Sequence, residues 1–130
     1  MRQVRVTDPA RRDIANALRR SHEEFGRDAR VRYRRLLDRA LSDLADDPAR
    51  IGVRGIDDVR RGYFAYHLRS STKGAPRPSV RQPRHLIVFY LDVSGNVIVA
   101  RVFHERQMLA RHLVDDHGLS WKGAAHFRVR

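Results

Sequence analysis

Apolar and polar positions alternate along this chain in a way that predicts short β runs on either side of a helical pair. Gln3 to Val6 makes a short strand. Thr7-Asp8-Pro9 follows, pairing a capping hydroxyl with a proline at the first helical position, and so predicts a helix start. That helix runs to about Phe25, with Ala10, Ile14, Ala17, Leu18, Ser21 and Phe25 on its buried side, and Gly26 ends it. The second helix starts at Asp28 and carries Tyr33, Leu36, Leu37, Ala40, Leu41 and Leu44 at helical spacing. Pro48 stops it. Arg30, Arg32, Arg34, Arg35 and Arg39 crowd its other face, which is either a solvated face or a docking surface for an acidic partner.

Ala49 to Arg61 reads as a loop holding Gly52, Gly55 and the Asp57-Asp58 pair. Tyr63 to Arg69 alternates as a half-buried strand does, with Phe64, Tyr66 and Leu68 on one face. Ser70 to Pro83 contains Pro76, Pro78 and Pro83, has no apolar periodicity, and reads as a mobile basic loop. Leu86 to Leu91 is apolar without a break, the mark of a central strand buried on both faces. Asp92 to Asn96 supplies turn chemistry, and Val97 to Phe103 is a second β run interrupted by Arg101. Strict alternation places Arg101 with Val97, Val99 and Phe103, and His104 with Ile98, Ala100 and Val102. The order is β-α-α-β-β-β-α. It predicts an α+β fold: a small antiparallel sheet, a helical hairpin on one face, and the other face partly open with Arg101 on it. No internal repeat is present.

Composition narrows the picture. At 130 residues the chain has room for one domain and one modest core. It has no cysteine, which excludes disulfides, thiol nucleophiles and Cys-ligated zinc. The start, Met1 to Val6, lacks the apolar core of a signal peptide, and no apolar run is long enough to span a membrane. A cytoplasmic location is expected. The formal charge of +12 and a pI near 11.4 point to an anionic partner: nucleic acid, a nucleoprotein machine or an acidic protein. All the basic residues except Lys73 and Lys122 are arginines, which grip phosphate and carboxylate equally well. The charge speaks of partners and not of a reaction.

The parts of a metal-independent ribonuclease are present: His67, His85, His104, Glu105, Tyr63, Tyr66, Arg61, Arg84, Arg101 and Arg106. Each has a bland alternative. His104 serves equally as a cap for the last helix, Glu105 favours a helix dipole, and Arg101 pairs with Asp57 or Asp58. His112, Asp115, Asp116 and His117 are metal-ligand types, but their spacing matches no helical metal pair. No metal and no cofactor are expected. A basic nucleic-acid-binding module, using the Ser70–Pro83 loop and the arginines of the second helix, stays open.

The run from Arg84 to Leu113 is two strands and a hairpin ending in His104-Glu105-Arg106-Gln107, with Arg111-His112-Leu113 trailing. It resembles the carboxy-terminal half of RelE/ParE toxins of bacterial type II toxin–antitoxin systems, and the ParE branch more than the RelE branch. Val4 to Val6, the two helices, and Gly62 to Arg69 fall in the family's order, so the resemblance covers Arg2 to Leu113. It implies a toxin domain at 1–113 with an inserted basic loop at 70–83. Residues 114–130 become a C-terminal extension, in which Trp121 and Phe127 suggest packing.

The RelE branch implies a ribosome-dependent mRNA endonuclease, with His104 near the late acid position and Arg61 and Arg101 near phosphate-binding positions. The family's lysine cluster is absent here, replaced by Arg54, Arg60 and Arg61, and no tyrosine follows His104. The ParE branch implies growth inhibition by poisoning DNA gyrase, a role in plasmid stabilisation, and no complete active site. Its target-binding candidates are Arg61, Arg84, Arg101 and Arg106. A cognate antitoxin, small, acidic or amphipathic and of the ribbon-helix-helix type, would form a heteromer through a groove between hairpin and sheet at Leu37, Leu41 and Phe64.

Overall fold

The computed structural model describes residues 2–108. The chain begins with β1 (Val4–Val6), α1 (Asp8–Phe25) and α2 (Arg27–Asp46), and continues through β2 (Val53–Gly55) and β3 (Phe64–His67). A 3₁₀ helix (Leu68–Gly74), β4 (His85–Leu91) and β5 (Val97–His104) follow. A helical turn then occupies 105–108.

Helix α1 starts where its cap predicts. Thr7 Oγ1 accepts the Ala10 N–H at 3.3 Å and donates to the Ala100 carbonyl at 3.0 Å, so one hydroxyl caps the helix and ties it to β5. Gly26 alone separates the helices; its φ of +92° is a conformation that side-chain-bearing residues rarely adopt. The hairpin lies on one face of a five-stranded sheet ordered β1-β5-β4-β3-β2. β1 runs parallel to β5, and the remaining pairs are antiparallel. Leu18, Leu36, Leu37, Ala40 and Leu44 of the hairpin pack on Tyr66, Ile87, Phe89, Val97, Val99 and Val102.

Several expectations change. The Ala49–Arg61 loop contains β2, paired with β3 through Val53↔Tyr66 and Gly55↔Phe64. Three residues, one of them glycine, are too few to show alternation. The 70–83 loop is folded in its first part: Leu68 and Ser71 of the 3₁₀ helix are buried, and so are Ala75 and Pro83. A polar chain does the anchoring. Tyr66 Oη donates to Ser71 Oγ at 2.7 Å, and Ser71 Oγ donates to the buried Asp43 carboxylate at 2.7 Å. Arg39 and Arg50 hold the same carboxylate at 2.9 and 2.8 Å. Phe25 was expected on the buried side of α1, but it sits at the helix end and is 74% exposed.

The largest correction concerns β5. Val88 pairs with Arg101 while Phe89 pairs with Val99, so Ala100 is the extra residue of a bulge. The bulge shifts the alternation by one. Val102 joins Val97 and Val99 beneath the hairpin, and Phe103 joins Ala100 on the opposite face. That opposite face is not open: Ile56, Tyr63, Ala65, Leu86, Val88, Ala100, Phe103 and Met108 form a second buried cluster there. The proposed extension at 114–130, with Trp121 and Phe127, and the His112–His117 cluster lie outside the described residues. Among the described residues no helix is long and apolar enough to cross a membrane.

Candidate functional site

The end of β5 gathers most of the residues singled out in the sequence. His104 closes the strand, His85 opens β4 directly opposite it, and His67 closes β3 beside β4. The His85 ring meets a tyrosine of α2, Tyr33. The His85 ring stands edge-on to His104, with centroids 5.3 Å apart, and edge-on to Tyr33, at 5.4 Å. Glu105 follows the strand; its backbone N–H reaches the Arg84 carbonyl at 2.8 Å, and its carboxylate takes His67 Nε2 at 2.7 Å and the Arg84 guanidinium at 3.4 Å.

The hydrogen bonds fix the proton on each imidazole. The Arg69 backbone N–H donates to His67 Nδ1 at 3.1 Å, so the ring proton sits on Nε2 and goes to Glu105. The Arg106 backbone N–H donates to His104 Nδ1 at 3.1 Å, and Gln107 Oε1 accepts the His104 backbone N–H at 2.9 Å. His104 therefore caps the turn that follows it. Tyr33 Oη accepts the Arg84 N–H at 3.1 Å, and His85 Nδ1 lies 2.5 Å away; an oxygen that accepted both N–H groups would leave its own buried proton without an acceptor, which assigns that proton to His85 Nδ1. All three Nδ1 atoms are occupied, and His85 and His104 keep their Nε2–H groups as donors.

Burial reinforces these states. It pushes the Tyr33 phenol up to about 12 and holds His85 down at about 4, the latter helped by His104 and His67 nearby. Burial also lowers His67, opposed by the bond to Glu105. Glu105 is lowered, first by its bond from His67 and further by Arg84. With no vacant imidazole lone pair among these rings, the arrangement donates N–H groups and positive charge. Such a set of donors suits an anion, and none of the three imidazoles has a free nitrogen to take up a proton.

Arg101 lies apart from this cluster. Its Nε and terminal nitrogen reach the two Asp13 oxygens at 2.7 and 3.0 Å, and the same carboxylate accepts the Val102 N–H at 2.9 Å. The guanidinium also lies 4.7 Å from the Phe103 ring centre. The ion-pair partner is Asp13 and not Asp57 or Asp58; Asp57 instead accepts the Gly62 N–H. Arg61 is exposed on the turn before β3. Arg84 and Arg106 stand beside them.

Asp13, Tyr33 and Asp43 had no functional part in the sequence reading. A signal was there for the two acids. Asp13 falls between Ala10 and Ala17 on the buried stripe of α1, and Asp43 adjoins Ala40 and Leu44 on that of α2. An acid on an apolar stripe asks for a buried partner.

Two concavities flank the hairpin. A cleft of about 1270 Å³ lies between the C-terminal part of α1, the first turns of α2, the segment before β4, and the end of β5. His85, His104, Arg84 and Arg106 line it. A groove of about 560 Å³ lies between α1 and α2, floored by Val6, Ile14, Leu18, Leu37 and Leu41 and rimmed by Arg11, Arg19, Arg30 and Arg34. Leu37 is only 2% exposed and forms the groove's base, and Leu41 is half-buried. Phe64 is not part of it. That ring sits on β3, stacked against Phe89 at 5.5 Å.

Comparison with known proteins adds a family match. A model described as the ParE toxin of type II toxin–antitoxin systems, parDE, matches residues 4–109. A search of curated proteins finds no match. Among solved structures, the toxin–antitoxin complex RelBE2 from Mycobacterium tuberculosis contains a chain 22% identical in sequence, with a TM-score of 0.45. The alignment covers 79% of this chain and 96% of that one.

Proposed function

The chain belongs to the ParE toxin family of type II toxin–antitoxin systems, and from that premise we propose that it arrests growth by binding DNA gyrase, without cutting RNA. One observation carries the choice of target. His67, His85 and His104 each have Nδ1 filled by a backbone N–H or a phenol, so none is poised to accept a proton from a ribose hydroxyl. His104 acts as a helix cap in this reading. The target surface comprises Arg84 and Arg106 beside the cleft and Arg61 on the turn before β3. Arg101 supports it from behind through Asp13.

The cognate antitoxin is a small protein with an acidic amphipathic segment, and its seat is the α1/α2 groove. Apolar residues at the floor, Leu41 foremost, supply affinity once buried, and the arginine rim matches negative charge. The result is a toxin–antitoxin heteromer in the cytoplasm.

The test is DNA supercoiling by purified gyrase with the full chain added. Inhibition that Arg106→Ala weakens at least tenfold, with its thermal midpoint unchanged, is the expected result. Full gyrase activity at toxin excess, together with mRNA cleavage on ribosomes, would replace gyrase with the ribosome as the target.

A further inference from the structure

The cleft at the end of β5 is larger than the roughly 300–1,000 Å³ of most small-molecule sites. Its charges are unevenly matched. Asp13, Glu24 and Glu105 are engaged with Arg101, Arg20 and the His67–Arg84 pair. Arg32, Arg81 and Arg106 line the same cleft and have no ion-pair partner among the described residues. Glu23 is the unpaired acid among them. His85 and His104 add Nε2–H donors whose tautomer is set from behind. Phe25 lies on the same wall, 74% exposed, an aromatic face with little packing of its own.

Positive forks, fixed N–H donors and an open aromatic ring in one concavity suit a chain that alternates phosphates and flat bases. A purely acidic peptide such as polyglutamate would engage the cations but has no flat group to stack on the ring. We propose that this cleft binds a single-stranded nucleic-acid segment, holding phosphates with Arg32, Arg81, Arg106, His85 and His104 and stacking a base on Phe25, without cleaving it. The inference goes beyond the gyrase reading and does not rest on it, because binding is a property of the isolated chain.

The test is fluorescence anisotropy of the full chain with a labelled oligothymidylate of about 12 nucleotides, a length within the usual single-strand site sizes. A salt series accompanies it. Contacts to about three phosphates give a log–log salt slope near −2. The triple variant Arg32→Ala/Arg81→Ala/Arg106→Ala should bring that slope close to zero. Phe25→Ala should weaken binding about fivefold or more, as the loss of one base stack does, and Phe25→Tyr should restore it. Arg5→Ala, on the exposed side of β1, should change neither. Competition by thymidine monophosphate, matched in phosphate concentration to the oligonucleotide, would identify the natural ligand as a free nucleotide held by the same groups. Weaker competition identifies a strand. Affinity untouched by both the triple variant and Phe25→Ala would overturn the site. Displacement by polyglutamate as effective as by unlabelled oligonucleotide would overturn it in favour of an acidic peptide, and cleavage of the oligonucleotide would overturn the non-cleaving role.

Discussion

Replacing Asp13 by alanine tests the part of the structure that sequence reading missed. The Asp13 side chain is 14% exposed and the Arg101 side chain 20%. The carboxylate satisfies three donors: two guanidinium N–H groups and the backbone N–H of Val102, next to the β5 bulge. A hydrogen bond to a charged group contributes about 1.5–3 kcal/mol, and a buried charge that loses its partner costs about 3–5 kcal/mol. Water reaches both side chains, and three bonds to one carboxylate are not additive. A loss of about 2–4 kcal/mol follows for Asp13→Ala, which lowers the thermal midpoint of a domain this size by about 8–15 °C. Arg101→Met leaves Asp13 with the Val102 N–H and should cost less. A double-mutant cycle over the two, read by urea denaturation, isolates the pair, with an expected coupling of about 1–3 kcal/mol. A loss below about 0.5 kcal/mol for Asp13→Ala, of the size of an ordinary surface change, would refute the assignment of Asp13 as the anchor of β5.

Arg101→Ala should reduce toxicity and stability together, whereas Arg106→Ala should reduce toxicity at an unchanged thermal midpoint; growth curves beside melting curves separate the two. Asp43→Ala should cost about 3 kcal/mol or more, since its 6%-exposed carboxylate holds Arg39, Arg50 and Ser71. Protease protection of the 68–74 segment reports the same loss locally. His85 sits near 4 when folded against about 6.5 when unfolded, so its neutral form is the one the fold prefers. That stability is fully present above about pH 6.5 and is lost as the pH falls towards 4, up to about 3 kcal/mol, and urea midpoints across the window should flatten in His85→Gln. Leu41→Asp, in the groove floor, should weaken antitoxin association by about tenfold or more with little effect on gyrase inhibition, as titration calorimetry and the supercoiling assay would show.

Much of this fold was legible because it follows from apolar spacing and caps. Thr7-Asp8-Pro9 marked α1, and the Leu36–Leu44 stripe marked α2. The unbroken Leu86–Leu91 run lies in β4 with Leu86 to Phe89 fully buried, and the Asp92–Asn96 turn marks the hairpin. What stayed hidden depends on polar contacts between distant segments. β2 exists because its backbone pairs with β3, and the 3₁₀ helix is held by Tyr66, Ser71 and Asp43, whose contacts span up to 28 residues. The bulge at Ala100 broke the alternation on which the facing of Arg101 rested, and no residue there signals it. Of the site, His104, Glu105, Arg84 and Arg106 were singled out from the strand end. Tyr33 read as core, because its ring occupies an apolar stripe while its hydroxyl does the work. Leu37 and Leu41 do meet in one groove; Phe64, on another element, does not.

The most direct test of the central claim is pulse-labelling of DNA and protein synthesis in the minutes after induced expression in a bacterium. The account predicts that DNA synthesis falls first, and that His104→Asn, whose Oδ1 can take the Arg106 N–H in place of Nδ1, remains toxic. Early collapse of protein synthesis with DNA synthesis intact, abolished by His104→Asn, would contradict it.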